Sequence, residues 1–334
     1  MDDRALLEQL IRGPATGDAL AKAAGQTRAA VWKRIEGLRE AGVGIAAQPG
    51  RGYALTQPLD LLDPAAMRVA LPAAVLARIG SLDVQWSIDS TNSELLRRPA
   101  RADDLAELLF AERQTGGRGR RGRVWASPLA AHLYFSVART FAGGLARLGG
   151  LSLVAGVATV EALRALGFAT VGLKWPNDVV QVGPDGLHKL GGLLVEGAGE
   201  HAGPARAVIG LGLNVRMPAA VAAQIDQPWC DLDGLARAGA QSSPGRNAVA
   251  AAVLSHLLPA LDLFDAEGLA PFLARYAALD ALAGAAVVLH SATATQSGTA
   301  LGVAEDGALR LRLDDGSEQR VHAGEISVRR AGGA

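Results

Sequence analysis

The chain opens with three stretches whose apolar residues recur three and four apart, the period of a helix with one buried stripe. They are Leu6-Leu7 with Leu10-Ile11, then Asp18 to Ala24, then Arg28 to Leu38. Gly25-Gln26-Thr27 separates the second from the third, and Thr27 is a suitable N-cap for the third. Two helices joined by a short turn containing Gly are the signature of a helix-turn-helix. Two short strands follow, Gly42 to Ile45 and Gly50 to Leu55, as in a winged form.

Past a connection from Thr56 to Pro72, with a helix start at Asp63-Pro64, the pattern turns to mixed periods. Strands are expected at 83–88, 108–112, 133–138, 171–175, 193–196 and 207–211, and helices at 92–96, 150–166, 248–264 and 270–279. Strands outnumber helices and short loops join them, which predicts an α+β section with a mixed or largely antiparallel sheet. Pro259 should kink its helix. The final fifty residues alternate apolar with polar at 287–290, 298–303, 308–313 and 317–322, around Asp306-Gly307 and Asp315-Gly316 turns. Hairpins in series predict a small barrel.

Composition narrows this picture. At 334 residues with half of them apolar, the chain can form two or three domains and bury at least one large core. Its 33 basic and 33 acidic residues exclude a general polyanion binder, so any contact with nucleic acid must come from a local basic face. Such a face exists: from Leu20 to Leu55, Lys22, Arg28, Lys33, Arg34, Arg39 and Arg51 stand against Glu36 and Glu40. Arg28, Lys33 and Arg34 should point outward, and Arg51 in the wing should meet a phosphate. The only cysteine, Cys230, excludes an internal disulfide or a multi-cysteine metal site and reads as a buried small apolar residue. An acidic start and apolar runs well short of a membrane span's roughly 20 residues lead us to expect a cytoplasmic protein with no membrane partner.

The candidate chemistry centres on Gln114-Thr115-Gly116-Gly117-Arg118-Gly119-Arg120-Arg121-Gly122-Arg123-Val124-Trp125. Glycines let the backbone turn its N–H groups inward, and guanidiniums add forked donors, so this loop is built to order over an anion. It contains a literal G-x-G-x-x-G from Gly117 to Gly122, but the stretch after it is strand-like at 132–137. A dinucleotide site needs a helix there, which disfavours that reading. Three more motifs stand out: Ser90-Thr91-Asn92, Lys174-Trp175-Pro176-Asn177-Asp178, and Lys189-Leu190-Gly191-Gly192-Leu193-Leu194-Val195-Glu196. Singly they read equally well as a helix cap, a polar turn and a strand entry.

In this order, with Gly210-Leu211-Gly212-Leu213-Asn214-Val215 and the ending Gly324-Glu325-Ile326-Ser327-Val328-Arg329, they resemble the biotin–protein ligases over nearly the whole chain. With the N-terminal helices, the resemblance is to the bifunctional ligase and biotin operon repressor. It implies a winged helix-turn-helix over 1–60, a ligase domain over 66–283 and an SH3-like β-barrel over 284–334. It implies that biotin's carboxylate attacks the α-phosphate of ATP, and that a lysine of a biotin carboxyl carrier protein domain then attacks the adenylate. It assigns catalysis to Lys189, Arg118 and Arg120, and biotin binding to Ser90, Thr91, Asn92, Gln114, Arg118, Gly119, Arg120 and Lys189. Nucleotide binding falls to Arg121, Arg123, Trp125, Lys174, Asn177, Asp178 and Asn214, with Mg2+ on Asp178.

DNA contact falls to Thr27, Arg28, Ala29, Lys33, Arg34 and Arg51, on operator DNA, by a homodimer formed when adenylate is bound. Trp32 in the recognition helix has a core position open to it as well as base reading. Residues 216–226 match the family's adenylate-side loop weakly. A ligand-sensing DNA-binding regulator without ligase activity is the alternative, and intact Lys189 and Lys-Trp-Pro-Asn-Asp argue against it.

Overall fold

A computed structural model of the chain describes residues 2–142, 144–199, 204–290, 295–324 and 327–330. The N-terminal unit holds α1 (Asp3–Arg12), α2 (Gly17–Ala24), α3 (Arg28–Glu40) and the hairpin β1 (Ile45–Gln48) and β2 (Gly52–Leu55). Asp2, Thr16 and Thr27 cap the three helices, each accepting from the backbone N–H three residues on. Leu6, Leu7, Leu10, Leu20, Val31, Ile35 and Leu38 form its core. The first wing strand starts three residues later than the sequence suggests, because Gly42 takes a left-handed turn at φ 101° before the chain extends. The edge of β2 is doubled by Ala15, which exchanges two backbone hydrogen bonds with Tyr53 at 2.9 and 2.8 Å.

The central unit is a seven-stranded sheet of order β3-β4-β5-β9-β8-β7-β6. Its strands are β3 (Ile79–Gln85), β4 (Ala106–Ala111), β5 (Leu133–Phe141), β6 (Val171–Lys174), β7 (Asp178–Gly183), β8 (Gly186–Gly199) and β9 (Ala205–Leu213). Only β3 and β4 pair in parallel, which makes the sheet mixed and mostly antiparallel, as expected. Strand β7 was not legible from the sequence: it begins inside Lys-Trp-Pro-Asn-Asp, where proline and two polar residues read as a turn.

Alternation along the strands separates the two faces. Leu108 and Phe110, Phe135 and Val137, Ile209 and Leu211 face α7 (Leu151–Ala165) and α10 (Arg246–Glu267) in the main core. Leu109, Ala138 and Val208 face α6 (Thr91–Arg97) on the other side. By length and composition α10 could cross a membrane, but it is packed on α7 and buries Val249, Val253, Leu257, Leu261 and Phe264. It runs through Pro259 as one helix. The short helices α4 (Pro64–Ala70), α5 (Ala73–Leu76), α8 (Ala219–Ala222), α9 (Leu232–Ala238) and α11 (Ala270–Ala277) complete this unit.

The C-terminal strands are β10 (Ala286–His290), β11 (Thr295–Val303), β12 (Leu309–Arg312), β13 (Glu318–Val321) and β14 (Ser327–Arg330). They form an antiparallel sheet of order β13-β12-β11-β10-β14. Among the described residues β13 and β14 are the edges of this sheet, and no pairing between them closes it into the small barrel that was expected. Glu325 and Ile326 of the ending motif lie outside the described residues.

Two seams join the units. Val287, Leu289, Leu309 and Val328 belong to the main core, and Trp175 Nε1 donates to the Gly307 carbonyl at 3.1 Å. At the other seam, Leu129 and Ala130 belong to the N-terminal core, and Leu129 N donates to Ala41 O at 2.8 Å. Beside it the buried Arg246 guanidinium donates to Glu112 at 2.8 Å and His132 O at 3.2 Å, and it also pairs with Asp60. This fixes the linker that follows the wing.

Candidate active site

On the α6 side of the sheet lies a cavity of about 790 Å3. Its floor is made of residues without side chains: Gly210 and Gly212 of β9, with Gly192 of β8 paired directly opposite Gly212. A methyl group on Gly212 would come within 2.6 Å of the Trp125 ring, and one on Gly210 would strike the Asn92 amide. Both positions are glycine because a neighbour lies flat against the backbone.

One end of the cavity is a buried polar cluster. Ser90 caps α6, which places Thr91 and Asn92 in its first turn. Gln114 Oε1 accepts from Thr91 N at 2.9 Å and from Thr91 Oγ1 at 3.2 Å. Ser136 of β5 donates to Thr91 Oγ1 at 2.7 Å and lies 2.5 Å from Asn92 Oδ1, and Asn92 Nδ2 donates to Glu196 at 2.8 Å. Arg118 of the loop reaches the same Glu196 at 3.2 Å and Ser93 Oγ at 3.0 Å.

The other end is cationic. Arg120, Arg121, Arg123, Lys174, Lys189, Arg329 and Arg330 line the cavity there, against Asp178, Asp185 and Asp226. Lys189 Nζ sits 2.6 Å from Asp178 Oδ1 and 5.6 Å from the centre of the Trp125 ring, and Lys174 Nζ lies 3.8 Å from Asp178 Oδ2. Burial, with further help from Lys189, Arg329 and Arg123, holds the Lys174 ammonium below the usual lysine range, against the pull of Asp178. Burial likewise lowers Arg120. An anion entering here would relieve both.

A bulge puts Lys189 in place. Val179 pairs with Gly191 and Val180 with Lys189, leaving Leu190 as the extra residue. In a regular strand Lys189 and Gly192, three apart, would point to opposite faces. Here Leu190 is buried in the core and Lys189 comes to the Gly192 side, its Nζ 3.6 Å from where a Gly192 Cβ would stand.

The arginine loop is described along its whole length. Gly119 N donates to Arg123 O at 2.8 Å, and Trp125 N to Gly117 O at 2.9 Å. Arg121 adopts a left-handed φ of 61° between them. Arg120 bonds Asn177 Oδ1 at 3.2 Å and the Gly324 carbonyl at 2.6 Å, so the loop spans from the central sheet to the C-terminal unit. Asn177 Nδ2 in turn donates to Leu193 O at 2.6 Å.

These parts recur in known proteins. Residues 86–214 match the Biotin/lipoate A/B protein ligase family, residues 3–54 an HTH domain, and residues 286–329 the Biotin protein ligase C terminal domain. The Bifunctional ligase/repressor BirA of Escherichia coli is 38% identical over 316 residues, covering 95% of this chain and 93% of that protein. The chain belongs to the biotin protein ligases. The Biotin--[acetyl-CoA-carboxylase] ligase of Mycobacterium tuberculosis is 38% identical over 181 residues, covering 53% of this chain and 62% of that one. The biotin protein ligase from Aquifex aeolicus solved in complex with biotin and ATP superposes with a TM-score of 0.61 at 26% identity, over 76% of this chain and 100% of that one.

In this biotin protein ligase most of the expected site residues converge: Ser90, Thr91, Asn92, Gln114, Arg118, Gly119, Arg120, Arg121, Arg123, Trp125, Lys174, Asn177, Asp178 and Lys189 all line the cavity. Asn214 does not. It is buried, and its amide donates to the carbonyls of Lys189 at 3.3 Å and Cys230 at 3.1 Å, holding the strand that carries Lys189. Sequence reasoning missed Ser136, whose hydroxyl faces the cluster only because β5 pairs with β9 in this register. It also missed Glu196 as the shared partner of Asn92 and Arg118. Cys230 is half-buried, with its thiol pushed up to about 12 mainly by burial.

On the N-terminal unit, Thr27, Arg28, Ala29, Lys33 and Arg51 are exposed. Arg34 is not free: it bonds Asp3 at 2.6 Å and Gln26 at 3.3 Å, tying α3 to α1. Trp32 lies outside the core, 57% exposed.

Proposed function

We propose that the chain activates biotin with ATP to biotinyl-5′-AMP and transfers biotin to a lysine of the biotin carboxyl carrier protein domain of acetyl-CoA carboxylase. The observation that carries this reading is one cavity with a buried polar end and a cationic end on a glycine floor. Biotin's ureido ring is a neutral donor and acceptor, matched to Ser90, Thr91, Asn92 and Gln114, while its valeryl chain can lie along the glycine floor between the two ends. The carboxylate then meets the α-phosphate among Lys189, Arg118 and Arg120. Two anions repel, and the phosphorus gains charge as the new P–O bond forms, so fixed cations there lower the barrier.

Pyrophosphate leaves toward Arg121, Arg123 and Lys174. In the second step a neutral carrier lysine attacks the acyl carbon, AMP departs with the bonding pair, and the amine loses its proton. The loop excludes water from the mixed anhydride between the steps.

Mg2+ belongs to this reading as the counter-ion of the triphosphate. Among the described residues no cluster of three or more metal-ligating side chains exists. Asp178 is the carboxylate available to the ion once Lys189 and Lys174 turn to the phosphates, and the phosphates would supply the other oxygens.

The division at 1–60, 66–283 and 284–334 assigns DNA binding to the first part. The exposed Thr27, Arg28, Ala29, Lys33 and Arg51 support DNA binding by that part. The reading adds a cytoplasmic repressor that meets operator DNA as an adenylate-loaded homodimer. The test is biotin-dependent release of pyrophosphate from Mg-ATP, followed by labelled biotin on a carrier domain. Ligand binding with no pyrophosphate release would overturn the ligase reading in favour of a sensor.

A further inference from the structure

Trp32 is the largest of the exposed apolar side chains among the described residues, at 57% exposure. It projects from α3, about 90° around the helix from the centre of the buried stripe of Val31, Ile35 and Leu38. At 100° per residue, Arg28, Ala29, Trp32 and Lys33 share the outer face of the first turns. Among the described residues no aromatic ring or cation stacks on the indole. A lone exposed aromatic would mean little, but its surroundings give it a direction.

The outer face is divided by charge. Its N-terminal half is cationic around the indole, whereas its C-terminal half carries Glu36, held by Arg39 at 2.6 Å, and Glu40. Only the N-terminal half can enter the groove of a polyanion, which is how a recognition helix docks. Arg28 is paired with Asp18 at 3.2 Å in an ion pair more than 70% exposed on both sides. Such a pair is weak and can be exchanged for a phosphate. Arg34 is withdrawn by Asp3. The base edges are therefore left to Ala29 and Trp32, with Lys33, like Arg28, available to a phosphate.

Of these, the indole offers one N–H donor and otherwise apolar surface. In the major groove the one apolar group on a base edge is the thymine C5 methyl. We propose that Trp32 reads a thymine methyl in the major groove of duplex DNA, with Arg28 and Lys33 on the flanking phosphates. This rests on the DNA-binding role given above.

The experiment uses the full-length chain with biotin and Mg-ATP to select from a random duplex pool, in parallel for the wild type, Trp32→Ala and Trp32→Phe. Each thymine of the selected duplex is then replaced in turn by deoxyuridine, which differs only in the methyl. One position should weaken wild-type binding roughly tenfold while leaving Trp32→Ala, already weakened, insensitive. Trp32→Phe should retain part of the preference, and melting curves should show all three equally folded.

The proposal fails if Trp32→Ala selects the same sequence with the same affinity, or if no deoxyuridine position matters. It also fails if Trp32→Ala changes only the oligomeric state of the loaded protein, which would make the indole a contact between copies. If the wild type itself enriches no sequence, the DNA-binding role falls, and the Trp32 assignment with it.

Discussion

Lys189 Nζ and Asp178 Oδ1 stand 2.6 Å apart across the β7–β8 ladder, and the bulge at Leu190 is what brings them to the same face. The carboxylate holds the ammonium in the cavity until a stronger anion claims it. Lys189→Met should therefore lower biotin-dependent pyrophosphate release by at least ~100-fold, the scale of losing a group aimed at developing charge. Asp178→Asn keeps the shape but frees the lysine, and should cost less, roughly tenfold, mainly through the ATP KM. A Lys189→Met enzyme with an undiminished single-turnover rate would remove the lysine from the chemistry.

Gly212→Ala tests the floor. The added methyl would lie 2.6 Å from the Trp125 ring, and the strand beneath it is paired on both sides, so the ring must move. Nucleotide affinity should fall by roughly tenfold, with the melting temperature nearly unchanged because Trp125 is a loop residue. Isothermal titration with a non-hydrolysable ATP analogue reads this directly. Unaltered affinity would show that the ring does not border the nucleotide.

Arg120→Ala cuts the bonds from the loop to Asn177 and to the Gly324 carbonyl. With the clasp gone, biotin should bind more weakly and biotinyl-adenylate should escape into solution faster, by roughly tenfold. Gly117→Ala should act alike, since its methyl would meet the Trp125 carbonyl at 2.7 Å. Chromatography of the adenylate released without acceptor measures both. Release at the wild-type rate would refute the clasp.

His132 predicts an acid limit on stability. Burial depresses its imidazole to about 3 from the model-compound 6.5, with Arg246 adding to the effect, and its Nδ1 accepts from Val215 N at 3.1 Å, which only a neutral ring can do. The unfolded chain takes up this proton below pH 6.5 and the folded one does not until about 3. Stability should thus fall steadily as pH drops through that window. His132→Gln, which keeps an acceptor but cannot titrate there, should flatten the dependence of melting temperature on pH. An equally steep curve would shift the cause to other groups.

Much of this arrangement could be read in advance wherever a short stretch sets its own geometry. Thr27 caps α3, Ser90-Thr91-Asn92 opens α6, and the Asp-Gly turns separate C-terminal strands, all through contacts within a few residues. The site's cations were legible too, though only through the order of the motifs taken together, since singly each read equally well as ordinary structure. What stayed hidden depends on pairing over long distances. Ser136 and Glu196 enter the polar cluster through strand register, Lys189 through an unannounced bulge, and Arg34 leaves the DNA face for a partner 31 residues earlier. Asn214 turns inward for the same reason: its partners at Lys189 and Cys230 come from other segments.

The chain that leaves the arginine loop, Pro128-Leu129-Ala130, is also part of the N-terminal core, and Gly42 is left without a side chain where Pro128 rests. The two activities are therefore not beads on a string. A different DNA-reading module grafted onto this ligase would have to bring a flat, hydrogen-bonding edge like Ala41-Gly42 to that spot. Removing the N-terminal unit from this chain would expose Leu129 and Ala130, now buried against it, to water at the foot of the arginine loop.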